Sequence, residues 1–210
     1  MKIAIFGATG GTGQALLRQA LASGHDVTAV VRRPAAISFT HARLRVVVGD
    51  VLQPDSIAPA LRGQEAVLSA LGLKSFGSIF KRTTFYRQSA RNLVEQLEKA
   101  GVQRLVCLTS IGVVNKPVGP WFYVWLLKPL LRHIYDDMRH MEQVIRESRL
   151  TWTIVRPTRL VDGKRTGHYR VGASGELTQA NTISRPDVAD CMLTQLATQA
   201  NWQRAIAVAY

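Results

Sequence analysis

Seven residues near the start of the chain constrain it most. Gly7-Ala-Thr-Gly10-Gly11-Thr-Gly13 follows the apolar run Lys2–Phe6 and precedes Leu16, Leu17, Ala20 and Leu21 at helical spacing. Strand, glycine turn and helix, in that order, form the setting that a dinucleotide fingerprint requires, here spaced G-x-x-G-x-x-G. Gly7 permits the tight turn, Gly10 leaves room for a pyrophosphate to approach the backbone, and Gly13 lets the helix pack closely on the sheet. The first N–H groups of the helix then face the anion. Gly7, Thr9, Gly10, Gly11, Thr12 and Gly13 are the candidate cofactor residues of this loop.

The end of the second strand bears on which dinucleotide is bound. Val30-Val31-Arg32-Arg33-Pro34 carries no acid, and none occurs from residue 27 to 49. A carboxylate there would take the ribose hydroxyls of NAD, whereas a guanidinium grips a 2′-phosphate by paired charge-assisted hydrogen bonds. Arg32, with Arg33 beside it, points to NADP(H). Gly49-Asp50-Val51 ends the third strand, placing an acid for the adenine amino group and an apolar side chain for the ring face. Leu71-Gly72 ends the fourth strand, again with a glycine where the chain passes a cofactor, and Lys74 is within reach of a phosphate.

Strand-like runs recur at 2–6, 26–31, 44–48, 66–70, 104–108, 152–155 and 205–209, with segments of helical periodicity between them. Residues 85–100 place Phe85, Leu93, Val94 and Leu97 on one face and stop at Gly101. Residues 133–148 do the same with Ile134, Met138, Met141, Val144 and Ile145. Ser184-Arg-Pro-Asp187 is a capping-box pattern opening a last helix. Strands this apolar, alternating with helices, imply a doubly wound α/β domain: a parallel sheet of about seven strands with helices on both faces. A chain of 210 residues without repeats or linkers fits one such domain. Cys107 and Cys191 fall within a strand and a helix, and no metal-ligand spacing occurs.

The net charge of +13 invites a nucleic-acid reading, but the basic residues are scattered singly and in pairs without a tail, finger or ribonucleoprotein signature. A basic surface that favours an anionic small ligand is expected, with no specific nucleic-acid partner. No signal peptide or transmembrane run is visible, which makes a cytoplasmic protein the expectation.

The ordered motifs carry a resemblance. Residues 7–13, Arg32, Val46-Val-Val-Gly-Asp-Val51, Leu71-Gly72, Leu108-Thr-Ser110, Trp152-Thr-Ile-Val-Arg-Pro157 and Ile183-Ser-Arg-Pro-Asp-Val-Ala189 resemble the atypical short-chain dehydrogenase/reductase superfamily. Within it, the chain is similar to the NAD(P)H-binding group that includes flavin reductase (biliverdin-IXβ reductase) and NmrA-like proteins. The resemblance implies one Rossmann domain over residues 1–210, with Thr109 and Ser110 facing the nicotinamide and Pro157 and Thr158 shaping its pocket. Arg159 stands where the flavin reductase carries a histidine beside its substrate.

A standard short-chain dehydrogenase protonates its substrate through Tyr-x-x-x-Lys. The nearest match here is Tyr135-Asp-Asp-Met-Arg139, and arginine cannot join a proton relay. That suits acceptors which need only be held against the nicotinamide, such as flavins or quinones. Ser110 is the candidate hydrogen-bond donor, Arg159 an electrostatic helper, and Tyr135 a further candidate acid. The expected function is an NADPH-dependent reductase of flavin-like, quinone-like or other conjugated acceptors. The alternative is a non-catalytic NADP(H)-binding sensor or scaffold of NmrA-like type. Residues 118–132, rich in Trp, Leu and Pro, are expected over the substrate crevice as a lid, a homodimer contact or a membrane-surface anchor.

Overall fold

The computed structural model describes residues 1–73, 82–114, 130–173, 177 and 180–210. Lys74 and residues 118–129 of the apolar insertion lie outside the described residues.

The glycine turn joins β1 (Lys2–Phe6) to α1 (Gly11–Ala22), and the chain continues through β2 (Asp26–Val31), β3 (Leu44–Val48), α2 (Pro54–Leu61) and β4 (Ala66–Ser69). Then come α3 (Phe85–Ala100), β5 (Arg104–Leu108), α4 (Arg132–Glu147) and β6 (Thr151–Pro157). The last part holds β7 (Arg159–Val161), β8 (Arg170–Ala173), β9 (Thr182–Ser184), α5 (Arg185–Thr194) and β10 (Arg204–Ala209).

The main sheet has the order β3-β2-β1-β4-β5-β6-β10-β8. Seven strands are parallel, as their largely apolar runs imply, and β8 adds an antiparallel edge on β10. The strand order reverses between β1 and β4, so the carboxyl ends of these two strands diverge into a crevice. Separately, β7 and β9 pair as a short parallel ladder that brings Val161 level with Ser184.

Both faces of the sheet are covered, because each strand sends alternate side chains to opposite sides. Ile3 and Ile5 of β1 join Leu16 and Leu17 of α1 and Val188 and Met192 of α5 in one layer. Ala4 and Phe6 join Ile57, Leu97, Met141 and Ile145 of α2, α3 and α4 in the other. Cys191 sits in the first layer and Cys107 in the second, both as free thiols. Burial pushes each up to about 12, so neither is a nucleophile at neutral pH. Among the described residues there is no cluster of metal-ligating side chains, and no helix is long and apolar enough to cross a membrane.

Local signals hold where they are expected. Gly101 ends α3 in the left-handed region at φ 72°, its N–H returned to the helix. Ser184 caps α5, its Oγ accepting the Asp187 N–H at 3.1 Å. The reciprocal half of the capping box is replaced, because the Asp187 carboxylate serves other donors and the Ser184 N–H goes to the Tyr210 hydroxyl at 3.2 Å.

Candidate active site

A cleft of about 1060 Å³ opens along the carboxyl ends of the strands. Its floor is the glycine turn. Gly7 has φ +79°, and a Cβ there would strike the Ala70 carbonyl at the end of β4, so the turn and the fourth strand meet backbone to backbone. A Cβ on Gly13 would collide with the Gly7 carbonyl, which fixes how close α1 comes to the turn. The Gly10 N–H donates to the Gly7 carbonyl at 3.0 Å, and the Gly10 carbonyl accepts from Gln14 at 2.8 Å to start α1. No side chain caps α1 and its first turn holds no acid, so its positive end faces the cleft uncompensated.

One end of the cleft is bounded by Arg32 after β2 and by Asp50-Val51 after β3. Asp50 takes the Leu52 N–H at 3.0 Å, and Asn92 holds the Val51 carbonyl at 2.8 Å, which together fix this corner. Leu71 and Gly72 line the middle.

At the other end lie Thr109 and Ser110 from the end of β5, and Pro157, Thr158 and Arg159 after β6. The Ser110 Oγ accepts the Gly112 N–H at 3.2 Å, and a hydroxyl that accepts in this way still has its O–H to donate. The Thr109 hydroxyl donates to the buried Glu142 carboxylate at 2.9 Å. Glu142 is gripped in turn by Arg156, whose Nε lies 2.9 Å from Oε1, and by Arg146. The Thr158 Oγ1 is buried without a hydrogen-bond partner among the described residues, an exception that calls for a ligand or water. Tyr135 is buried with its ring against Gly112 and also lines the cleft. One turn later, Arg139 donates to the Val113 carbonyl at 3.1 Å and pairs with Asp136.

Of the residues expected from sequence, Gly13 lies beneath the loop and Arg33 is exposed outside the cleft. The remaining described ones line this single space. It also contains residues that the sequence marks only as apolar helix positions, Phe85 and Met138, or does not mark at all. Phe85, Tyr86 and Met138 make an apolar wall beside Tyr135, and the Tyr86 hydroxyl holds the Leu73 N–H at 3.3 Å. Arg185 reaches the glycine turn from α5. Arg32, Arg159 and Arg185 face a single carboxylate, Asp50, among the described lining residues, which favours an anionic ligand.

The features present fit a dinucleotide: a backbone cradle that side chains would fill, an uncapped helix end, a guanidinium at the tip of β2 and an orphaned hydroxyl on the far wall.

Comparison with known proteins agrees. The NAD(P)H-binding family model matches residues 7–199. An uncharacterized chloroplastic protein of Arabidopsis thaliana is 30% identical over 201 residues, covering 93% of this chain and 71% of that protein. The photosystem II assembly factor Ycf39 of Synechocystis is 24% identical over 198 residues, covering 90% of this chain, which spans only 56% of the Ycf39 length. Among solved structures, the anaerobilin reductase ChuY of Escherichia coli superposes with a TM-score of 0.78 at 23% identity, covering 100% of this chain and 97% of that one. That likeness is one of fold. With its glycine cradle, its parallel sheet and a family match over nearly its whole length, the chain belongs to the NAD(P)H-binding family.

Proposed function

We propose that this protein is an NADPH-dependent reductase that delivers hydride to a conjugated, flavin-like or quinone-like acceptor. The observation that carries the reading is the continuity of the cleft. A glycine cradle with Arg32 at one end leads past Thr109 and Ser110 to a wall of Tyr86, Phe85, Tyr135 and Met138 suited to a flat apolar ring. The likeness to a reductase adds to it.

In this reading Gly7, Thr9, Gly10, Gly11 and Thr12 hold the pyrophosphate, with Gly13 beneath them. Arg32 takes the 2′-phosphate with Arg33 outside it, Asp50 and Val51 take the adenine, and Leu71 and Gly72 line the path. Thr109, Pro157 and Thr158 bound the nicotinamide. The cofactor, when bound, supplies the hydride. The chain itself orients the acceptor through the Ser110 O–H, attracts its negative charge through Arg159 and excludes water with the aromatic wall. The reduced acceptor takes its proton from solvent or from the Tyr135 hydroxyl. Arg139 remains committed to Val113 and Asp136, so it assists by charge alone.

The test is the loss of NADPH absorbance with a panel of flavins, quinones and enals. Turnover of at least one class is expected, falling several-fold in Ser110→Ala. No oxidation with any of them overturns the proposal.

A second reading, a non-catalytic NADP(H)-binding scaffold, draws on the relative named as an assembly factor. As a sensor it requires partner capture that differs between NADPH and NADP+, and equal capture in both states removes the sensing role.

A further inference from the structure

Arg185 occupies an electrostatically odd position. It is the first residue of α5, yet its side chain crosses the first residue of α1. A Cβ built on Gly11 would fall 2.6 Å from the Arg185 Cδ and 2.9 Å from its Nε. Gly11 is therefore the gap through which this side chain passes. The place it reaches is the amino end of a helix of 12 residues, with no capping side chain and no acid in its first turn. Cations belong at the other end of a helix dipole, so a guanidinium here adds positive charge to positive charge.

Its one ion-pair partner among the described residues is Asp162, with Nη1 and Oδ1 2.6 Å apart. The Asp162 side chain is 96% exposed and that of Arg185 31%, so the carboxylate side of the pair is in water and the pair holds the guanidinium weakly. The backbone beneath is firm by contrast. The β7–β9 ladder sets Val161 against Ser184 and so places Asp162 and Arg185 next to each other. Ser184 caps the helix, and Gln19 of α1 holds the Pro186 carbonyl at 2.9 Å. A fixed base, a long side chain that reaches the glycine turn and a solvent-exposed counter-ion are the parts of a clamp.

We infer that Arg185 closes on the pyrophosphate of the dinucleotide, and that Asp162 holds the guanidinium in reserve and competes for it. The inference rests on the dinucleotide reading above and extends it. Arg185 serves the part common to NADPH and NADH, whereas Arg32 serves the 2′-phosphate that only NADPH carries. Asp162 acts on binding through Arg185 and is a positioning residue.

The experiment is titration calorimetry of the full chain with NADPH and with NADH, with thermal melting of each variant as a folding control. Arg185→Ala is expected to weaken both ligands by the same factor, about 10- to 50-fold, the scale of a lost charge-assisted contact. Arg32→Ala weakens NADPH alone. Asp162→Asn tightens both by about 2- to 3-fold, the scale of a surface ion pair. Binding by Arg185→Ala equal to the unsubstituted protein, or a loss confined to NADPH, overturns the clamp. If Arg185→Ala fails to fold, Asp162→Asn decides, and unchanged affinity there overturns it. An unsubstituted protein that binds neither ligand defeats the dinucleotide reading itself, a result visible before any variant is made.

Discussion

Glu142 in α4 and Asp187 in α5 are both buried carboxylates close behind the cleft wall, and the fold satisfies them by opposite means. Glu142 sits between two guanidinium groups, Arg156 and Arg146, and takes the Thr109 hydroxyl as well. Asp187 has no cation within ion-pair distance among the described residues. It collects neutral donors instead: the Thr166 N–H and hydroxyl at 2.8 Å each, the Gly167 N–H at 2.9 Å, the Ser184 hydroxyl at 3.0 Å and the Tyr210 hydroxyl at 2.6 Å. Burial alone would raise its carboxyl, but hydrogen bonds from Tyr210, Gly167 and Thr166 outweigh that and hold it at about 2. Charge neutralises the first carboxylate, and oriented dipoles neutralise the second. The first arrangement fixes a side chain facing the cleft. The second ties the 166–167 loop and Tyr210 to the start of α5, and so sets the base from which Arg185 reaches out.

The largest expected effect comes from emptying the charged site. Glu142→Ala leaves Arg156 largely buried without its partner and should cost about 3–5 kcal/mol in urea unfolding. Asp187→Asn should cost less, about 2.5 kcal/mol near neutrality, from a carboxyl displaced roughly two units below its ordinary range. Because the folded group is the stronger acid, this stability is present above about pH 4 and lost as pH falls towards 2. The gap between the unsubstituted protein and Asp187→Asn should therefore close over that window, and a gap that persists at pH 2 would mean that the hub is not electrostatic. Tyr210→Phe removes one of the neutral donors and should cost about 1 kcal/mol, with the acid transition moved upward. Arg146→Ala, on the exposed side of Glu142, should change stability by under about 1 kcal/mol and lose even that in high salt. If Arg146→Ala proves costlier than Tyr210→Phe, the contrast between the two carboxylates is mistaken.

The end of the cleft around the glycine turn was legible because its geometry is local. Gly7, Gly10 and Gly13 act within one turn of chain, and Arg32 and Asp50 sit at strand ends that an apolar run marks plainly. The sheet was legible for the same reason, down to the stop at Gly101. The three short strands were not: β7 and β9, at three residues each, carry no usable period, and β8 has no apolar run and pairs antiparallel on an edge. The residues that depend on them stayed hidden too. Arg185 meets Gly11 only after β7 pairs with β9, and Glu142 meets Thr109 and Arg156 only after α4 docks against β5 and β6. Asp187 read as a helix cap, yet its carboxylate serves a loop 20 residues upstream and a tyrosine 23 residues downstream. Tyr135 is placed on the cleft by the approach of its ring to Gly112, a contact 23 positions apart that helical spacing alone does not reveal.

The two cysteines lie on opposite sides of the sheet, one under each helical layer. A thiol reagent reaches either only when its own layer opens. Equal labelling rates at Cys107 and Cys191 would mark a molecule that opens as one cooperative unit. A faster rate at Cys191 would mark the α1–α5 side as the layer that parts first.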